Sequence, residues 1–450
     1  MKAGHLWLAS FGLFPLAGWP LLAHASYRRF SLASRIGLAF AAGAVLVSGW
    51  MTALALAGVR WQPVVLVALA AATAFLLRLA LSPEREDAPA PPEAIAAGVL
   101  EKSPLLLAAI SVAVVFAATF SAAATSPDLL LFWGPKAQAF AAAGTIDAPF
   151  LRDLDLRYMH PSYPPLVTNL LAFATEIAGR FPWGAATLTL PALLAVLALA
   201  LPGVLRQAAP RRLAWAASAL VVTALGYLGH ALAIAGNGDP WLWAFEVLAM
   251  AILIGPAALT KAGQLLTGLL LAGAVTAKVE GLLFTLASLA LFLLLRRKEI
   301  RIGRAILLLT VPSAVSLGAW LAFEASRHVF FGYEQYGRFL EVHWDRLPLV
   351  VTAISRALWS AGRALPFLLP LAALLLAPSR SRLFWLPVSV SLVLSSFSVF
   401  TYLHGAADPS DWITWSAGRI FSTIPAFFTI ASLCRETPGR LKSPGGQPPF

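Results

Sequence analysis

Of 450 residues, 59% are hydrophobic and 12% charged, mean hydropathy is +0.78 and the formal net charge is +12. That leaves too little polar surface to cover a water-soluble globule of this size, so the chain reads as an all-α polytopic membrane protein. The single cysteine, Cys434, excludes an intramolecular disulfide.

The first apolar run, 6–25, is long, contains Pro15 and Pro20, and leads into basic residues rather than a small-residue cleavage site. It is expected to stay as a span and not to leave as a signal peptide. With 36–58 and 63–81 it makes a unit of three leading transmembrane helices, 1–81. The segment 82–103, SPEREDAPAPPEAIAAGVLEKS, is rich in Pro, Ala and acid and reads as a flexible cytoplasmic linker. A transmembrane core, 104–433, follows. Its apolar runs fall at 104–124, 185–204, 213–235, 241–258, 305–323, 352–377, 383–403 and 412–433, and two shorter ones, 264–277 and 281–295, form a hairpin around Lys278 and Glu280. The total is about thirteen crossings of the hydrocarbon layer. The run LVTNLLAFATEIAG, 166–179, is too short and polar to cross, and is expected as a re-entrant or interfacial helix. It lies within a large first outer loop, 125–184. The tail after Cys434, 434–450, reads as cytoplasmic and disordered.

Lys and Arg set the orientation, because they collect in short cytoplasmic loops. YRRFSLASR, the linker, RQAAPRR, the turn at Lys261, RRKEIRIGR, PSRSR and the tail share one side, with about twenty of the 33 Lys and Arg. The loops 125–184 and 324–351 take the other. If 166–179 crossed fully, RRKEIRIGR would face outward and the rule would break. The positive charge therefore reads as topology and contact with anionic lipid; nucleic-acid binding is not expected, since no basic and aromatic stretch forms a separate domain.

On this topology Asp128, Lys136, Asp147, Asp153, Asp155, His160, Asn237, Asp239, Lys278, Glu280, His343, His404, Asp408 and Asp411 all fall at the outer side. Ionisable residues at membrane depth are costly, and functional by default. Four places stand out, each with a plainer reading. Asp128, in TSPDLLLFWGPKAQAFAAAG, caps an interfacial helix anchored by Trp133. YMHPSYPPL, 158–166, is a stiff connector, since each proline fixes φ. Asp239, in GNGDP, caps the helix after it. Lys278 and Glu280, in TAKVEGLLF, form a surface salt bridge.

Taken in order, these pieces resemble one family: an aspartate after a span, a W-x-x-K-A-like helix, a [HK]-P-x-Y-P-P-L-like segment, Asp-Pro opening a later helix, and K-x-E-G-L. It is the polytopic glycosyltransferases of the GT-C fold class, the bacterial relatives of protein mannosyltransferases and of the lipid A aminoarabinose transferase. The resemblance covers most of 104–433. It implies a catalytic base at Asp128 and substrate contacts from Lys136, His160, Tyr163, Asp239, Lys278, Glu280 and Arg419, the last in DWITWSAGRIF. It implies a donor sugar on a polyprenyl phosphate, an acceptor that is a glycan, lipid or protein, and a site opening outside a bacterial inner membrane. A divalent cation, Mg or Mn, would be shared by Asp128 and Asp239. Two positions depart from the family: Asp128 stands alone where two near-adjacent acids are common, and Val279 replaces the Asn of K-N-E-G.

Transfer needs a base for the acceptor proton and positive charge on the departing phosphate. Asp128 supplies the first, Lys278 and Arg419 the second. A transporter or flippase of lipid-linked sugars is the alternative, and a non-catalytic envelope-assembly subunit a third. No internal repeat supports transport. The histidines show no pair at metal-binding spacing, and no G-x-S-x-G elbow is present.

Overall fold

The computed structural model describes residues 2–81, 99–122, 124–329, 341–359, 368, 370–372, 375, 381–404 and 409–434. Most of the expected linker, the expected tail beyond Cys434, Asp408 and parts of the loop 324–351 and of the run 352–377 lie outside them. The helices in chain order are α1 (Lys2–Ser10), α2 (Leu13–Leu22), α3 (Leu32–Leu56), α4 (Pro63–Ala80), α5 (Val99–Ser121), α6 (Gly134–Ala143), α7 (Ala148–Leu151), α8 (Leu166–Ala178), α9 (Trp183–Ala186) and α10 (Thr189–Leu205). Then come α11 (Arg211–Leu225), α12 (Leu228–Ile234), α13 (Asp239–Leu253), α14 (Lys261–Ala277), α15 (Glu280–Arg296), α16 (Ile302–Arg327), α17 (Leu347–Trp359), α18 (Trp385–Tyr402), α19 (Pro409–Ile420) and α20 (Thr423–Ala431). Among the described residues β structure is limited to one isolated bridge, Val342 to His404.

Seven helical stretches are long and apolar enough to cross a membrane: Lys2–Leu22, Leu32–Leu56, Pro63–Ala80, Ser103–Ser121, Trp183–Leu205, Ile302–Arg327 and Arg382–Tyr402. The expectation of about thirteen is met only to that extent among the described residues. Composition alone hid the interruptions. The run 213–235 breaks after Leu225, 241–258 ends its α-helix at Leu253, and 412–433 breaks between Ile420 and Thr423. α14 and α15 have 17 residues each, about 26 Å at 1.5 Å per residue, short of the roughly 30 Å hydrocarbon layer unless other segments extend them.

Burial sorts the helices. α3 is central, with 78% of its apolar window buried, whereas α4 and the α5 stretch keep only 17% buried and turn their side chains outward. Ser31 starts α3 by accepting from the Ser34 N–H at 3.1 Å. Phe11, Phe14 and Phe40 pack on Phe173 and Trp241, so the leading helices and the rest share one core. A smaller, second cluster joins α17, the end of α18 and α19: Val350, Ile354, Tyr402, Leu403, Ile413 and Ala417.

Hydrogen bonds between distant segments mark two ends. At one end Tyr27 Oη donates to Ala262 O at 2.8 Å, Gln207 Nε2 to Arg29 O at 3.0 Å and Arg304 Nη2 to Leu259 O at 3.1 Å. These are the segments of the basic loops. At the other, Trp61 N donates to Gly144 O at 2.8 Å, Trp320 Nε1 to Ser162 O at 3.5 Å and His343 N to Leu403 O at 3.0 Å. α3, with 25 residues and about 38 Å of rise, connects the two.

α8, expected as a re-entrant or interfacial helix, packs within protein: Leu166 through Thr175 are all buried, and Asn169 Nδ2 donates to Ser48 Oγ and Thr52 Oγ1 of α3, both at 3.2 Å. One expectation is corrected: Trp133 is no interfacial anchor, being 1% exposed.

α2 and α3 cross with small residues at the contact, as membrane helices do when backbones approach closely. A Cβ on Gly43 would stand 1.9 Å from Phe14 O. Gly43→Val is therefore expected to cost about 1–3 kcal/mol of stability in detergent. Gly49→Ala, whose Cβ meets nothing within 4 Å, is expected to be neutral or slightly stabilising. Equal losses from both would contradict this crossing.

Candidate active site

Asp128 opens the site. Leu129 N donates to Ser126 Oγ at 3.4 Å, so Ser126 caps the turn, and the Asp128 side chain makes no capping bond. The chain then passes through a π-helical turn, Leu129–Trp133, into α6. The freed carboxylate forms an ion pair with Arg419 Nη1, from the last turn of α19.

Asp239 is the first residue of α13 and also caps nothing. Asn237 Oδ1 accepts from its backbone N–H at 3.0 Å, closing the GNGDP turn. Gly238 leaves room for neighbours: a Cβ there would lie 2.9 Å from Trp133 Cζ2 and 3.2 Å from Lys278 Cγ. Lys278 is extended, φ −155° and ψ 160°, in the break between α14 and α15. Its Nζ reaches Asp239 Oδ1 at 2.9 Å and Glu280 Oε1 at 3.2 Å. The side chains of Lys278 and Asp239 are 9% and 4% exposed, so that pair is buried, while the expected Lys278–Glu280 bridge is also made, with Glu280 34% exposed. Arg419 Nη1 lies 3.8 Å from Asp239 Oδ2 and completes the chain Asp128, Arg419, Asp239, Lys278, Glu280.

Among the buried atoms here, Asn237 Nδ2, Asp239 Oδ2, Glu280 Oε2 and Arg419 Nε have no hydrogen-bond partner. Unmet donors and acceptors beside paired charges suit a polar ligand that carries both.

Lys136, His160 and Tyr163 form an adjoining group. Lys136 is 2% exposed, donates from Nζ to His160 O at 3.1 Å, and stands 5.1–5.9 Å from the ring centres of Trp133, Phe132 and Tyr163. His160 adopts φ 50° in the left-handed region and stacks on Tyr163 at 4.7 Å. Lys136 thus holds the strained corner of YMHPSYPPL. Burial pushes the Lys136 ammonium down to about 7, and burial, then the charge of Lys136, lowers His160.

Other expected outer-side polar residues do local work. Asp147 and Asp153 cap short helical turns, and His404 Nδ1 bonds Phe400 O. The two acids expected to share a divalent cation, Asp128 and Asp239, converge on the Arg419 guanidinium, which takes the place between them. As folded, this donor set fits a guanidinium rather than a divalent ion, and among the described residues no three acidic, His or Cys side chains gather as ligands.

Sequence reading missed Glu246. It lines a cavity of about 30 Å³ with Asp239, Lys278, Glu280 and Arg419. The signal was present, an acid seven residues after Asp239 and so two turns along the same helix face, but it sat inside an apolar run. Compared with protein-family models, curated proteins and solved structures, the chain matches none.

The Lys136 shift has a stability consequence. The folded state favours the neutral amine, so folding bears no charge-burial cost above about 10.5, a growing cost as pH falls toward 7, and a constant one below. Relative to wild type, Lys136→Met should melt higher at pH 6 than at pH 10. A difference that does not change with pH would contradict the burial of a titrating amine.

Proposed function

We propose that the chain is a membrane glycosyltransferase of the GT-C class, with about thirteen crossings. It moves a sugar from a polyprenyl-phosphate donor to a glycolipid, polysaccharide or protein acceptor, outside a bacterial inner membrane. The observation that carries this reading is the convergence of Asp128 and Asp239 on Arg419, at the end of the bundle away from the basic loops. If those loops are cytoplasmic, the cluster faces the outer side.

The roles follow from charge. An incoming lipid phosphate competes with Asp128 for Arg419 and adds Lys278 as a second cation, contacts in which a guanidinium binds two oxygens at once. Asp128 is thereby released as a base only when donor is bound. The acceptor oxygen attacks the anomeric carbon, its proton passes to Asp128, and the bond from that carbon to the phosphate oxygen breaks with its electron pair going to the phosphate. Arg419 and Lys278 stabilise that leaving charge. Asp239 and Glu280 hold Lys278 in position, and the Lys136, His160 and Tyr163 corner borders the site. Chemistry concentrated at one end favours transfer over transport between the two ends.

The test is transfer of labelled sugar from a panel of polyprenyl-phosphate sugars. Wild type should transfer or slowly hydrolyse one donor, and folded Asp128→Asn should lose about 10²–10⁴-fold. Inertness of folded wild type toward every donor, or full activity of Asp128→Asn, would sink the reading.

A further inference from the structure

The transfer steps leave Glu246 without a role, yet it is 3% exposed in the middle of α13. A carboxyl kept within an apolar helix calls for a reason. The cavity supplies one. Its lining joins the charged cluster of Asp239, Lys278, Glu280 and Arg419 to Glu246, Ser398 and Thr423. Glu246 shares this lining with Thr423 and lies within electrostatic reach of Glu280, Lys278 and Asp239.

Size limits what can enter. At about 30 Å³ the cavity has room for one or two water-sized groups, each needing about 10–15 Å³ by the same measure. A sugar ring does not fit, but one hydroxyl projecting from a ring held at the ion-pair cluster does. Apart from Asp239, Lys278, Glu280 and Arg419 of the ion-pair cluster, the polar side chains lining the cavity are the Glu246 carboxyl and the Ser398 and Thr423 hydroxyls; Ser398 Oγ already donates to Leu394 O at 2.8 Å and so has lone pairs to offer. Leu242, Trp243, Leu394 and Phe397 supply the apolar walls.

We propose that this cavity is a specificity pocket taking a single hydroxyl of the donor sugar, with Glu246 as its hydrogen-bond acceptor. The inference rests on the glycosyltransferase reading. A site built to bond a substrate hydroxyl discriminates strongly against the analogue lacking it, by up to about 10⁴–10⁵-fold, because its polar groups are then left unpaired.

The test uses the full-length protein in detergent or nanodiscs, the donor it accepts, and analogues in which each ring hydroxyl is replaced by hydrogen in turn. Binding is read as a thermal shift and transfer as kcat/KM, for wild type, Glu246→Gln and Glu246→Leu. One deoxy donor is expected to lose about 100-fold or more with wild type. On the parent donor Glu246→Leu should lose a similar factor, on that deoxy donor nothing further, and Glu246→Gln should fall between. Should Glu246→Leu not fold, Glu246→Gln carries the same comparison. A uniform loss across all donors would make Glu246 a packing residue and overturn the pocket, as would equal use of every deoxy donor by wild type. If wild type neither binds nor transfers any lipid-phosphate sugar, the glycosyltransferase reading itself falls and takes the pocket with it.

Discussion

A guanidinium between two carboxylates ties together whatever elements carry them. Arg419 lies in α19, packed on the smaller cluster with α17, while Asp128 follows α5 and Asp239 begins α13 in the main body. Asp239 is in turn fixed by Lys278, from the break between α14 and α15. Helices distant in sequence thus meet through five charges in a row. Removing one partner of the buried Lys278–Asp239 pair costs about 3–5 kcal/mol, because the other is left uncompensated.

The same constraint makes the cluster responsive. A set of three carboxylates and two cations, with Asp239 Oδ2, Glu280 Oε2 and Arg419 Nε lacking hydrogen-bond partners, is held but not saturated. An anionic ligand can replace a carboxylate on Arg419 without leaving the guanidinium bare. Lys136 sets the adjoining wall. By bonding His160 O among three rings it keeps the proline-rich corner in a left-handed turn that a β-branched residue would resist.

Part of this was legible in the sequence. Composition named the membrane, and the alternation of basic and polar loops anticipated which segments meet at which end, as the bonds of Tyr27, Gln207 and Trp61 show. Asp128, Asp239, Lys278 and Glu280 stood out as charges in apolar surroundings, Arg419 entered only through the resemblance, and the structure brings the five together. The pairing of Asp128 with Arg419, 291 residues apart, was beyond local pattern. So was the fate of Trp133 and of α8, since hydropathy does not distinguish an apolar surface facing lipid from one facing protein. Glu246 was hidden for the opposite reason: a long Ala and Leu background made one acid look incidental, although its spacing from Asp239 placed it on the same face.

The most direct measurement is an experimental structure with a polyprenyl monophosphate bound. If the cluster is a leaving-group site, the phosphate lies within hydrogen-bond distance of Arg419 and Lys278, and the Asp128 carboxylate is displaced from the guanidinium. A phosphate seated among the basic loops at the opposite end, with the Asp128 and Arg419 pair intact, would contradict it and make the five charges a clamp between helices.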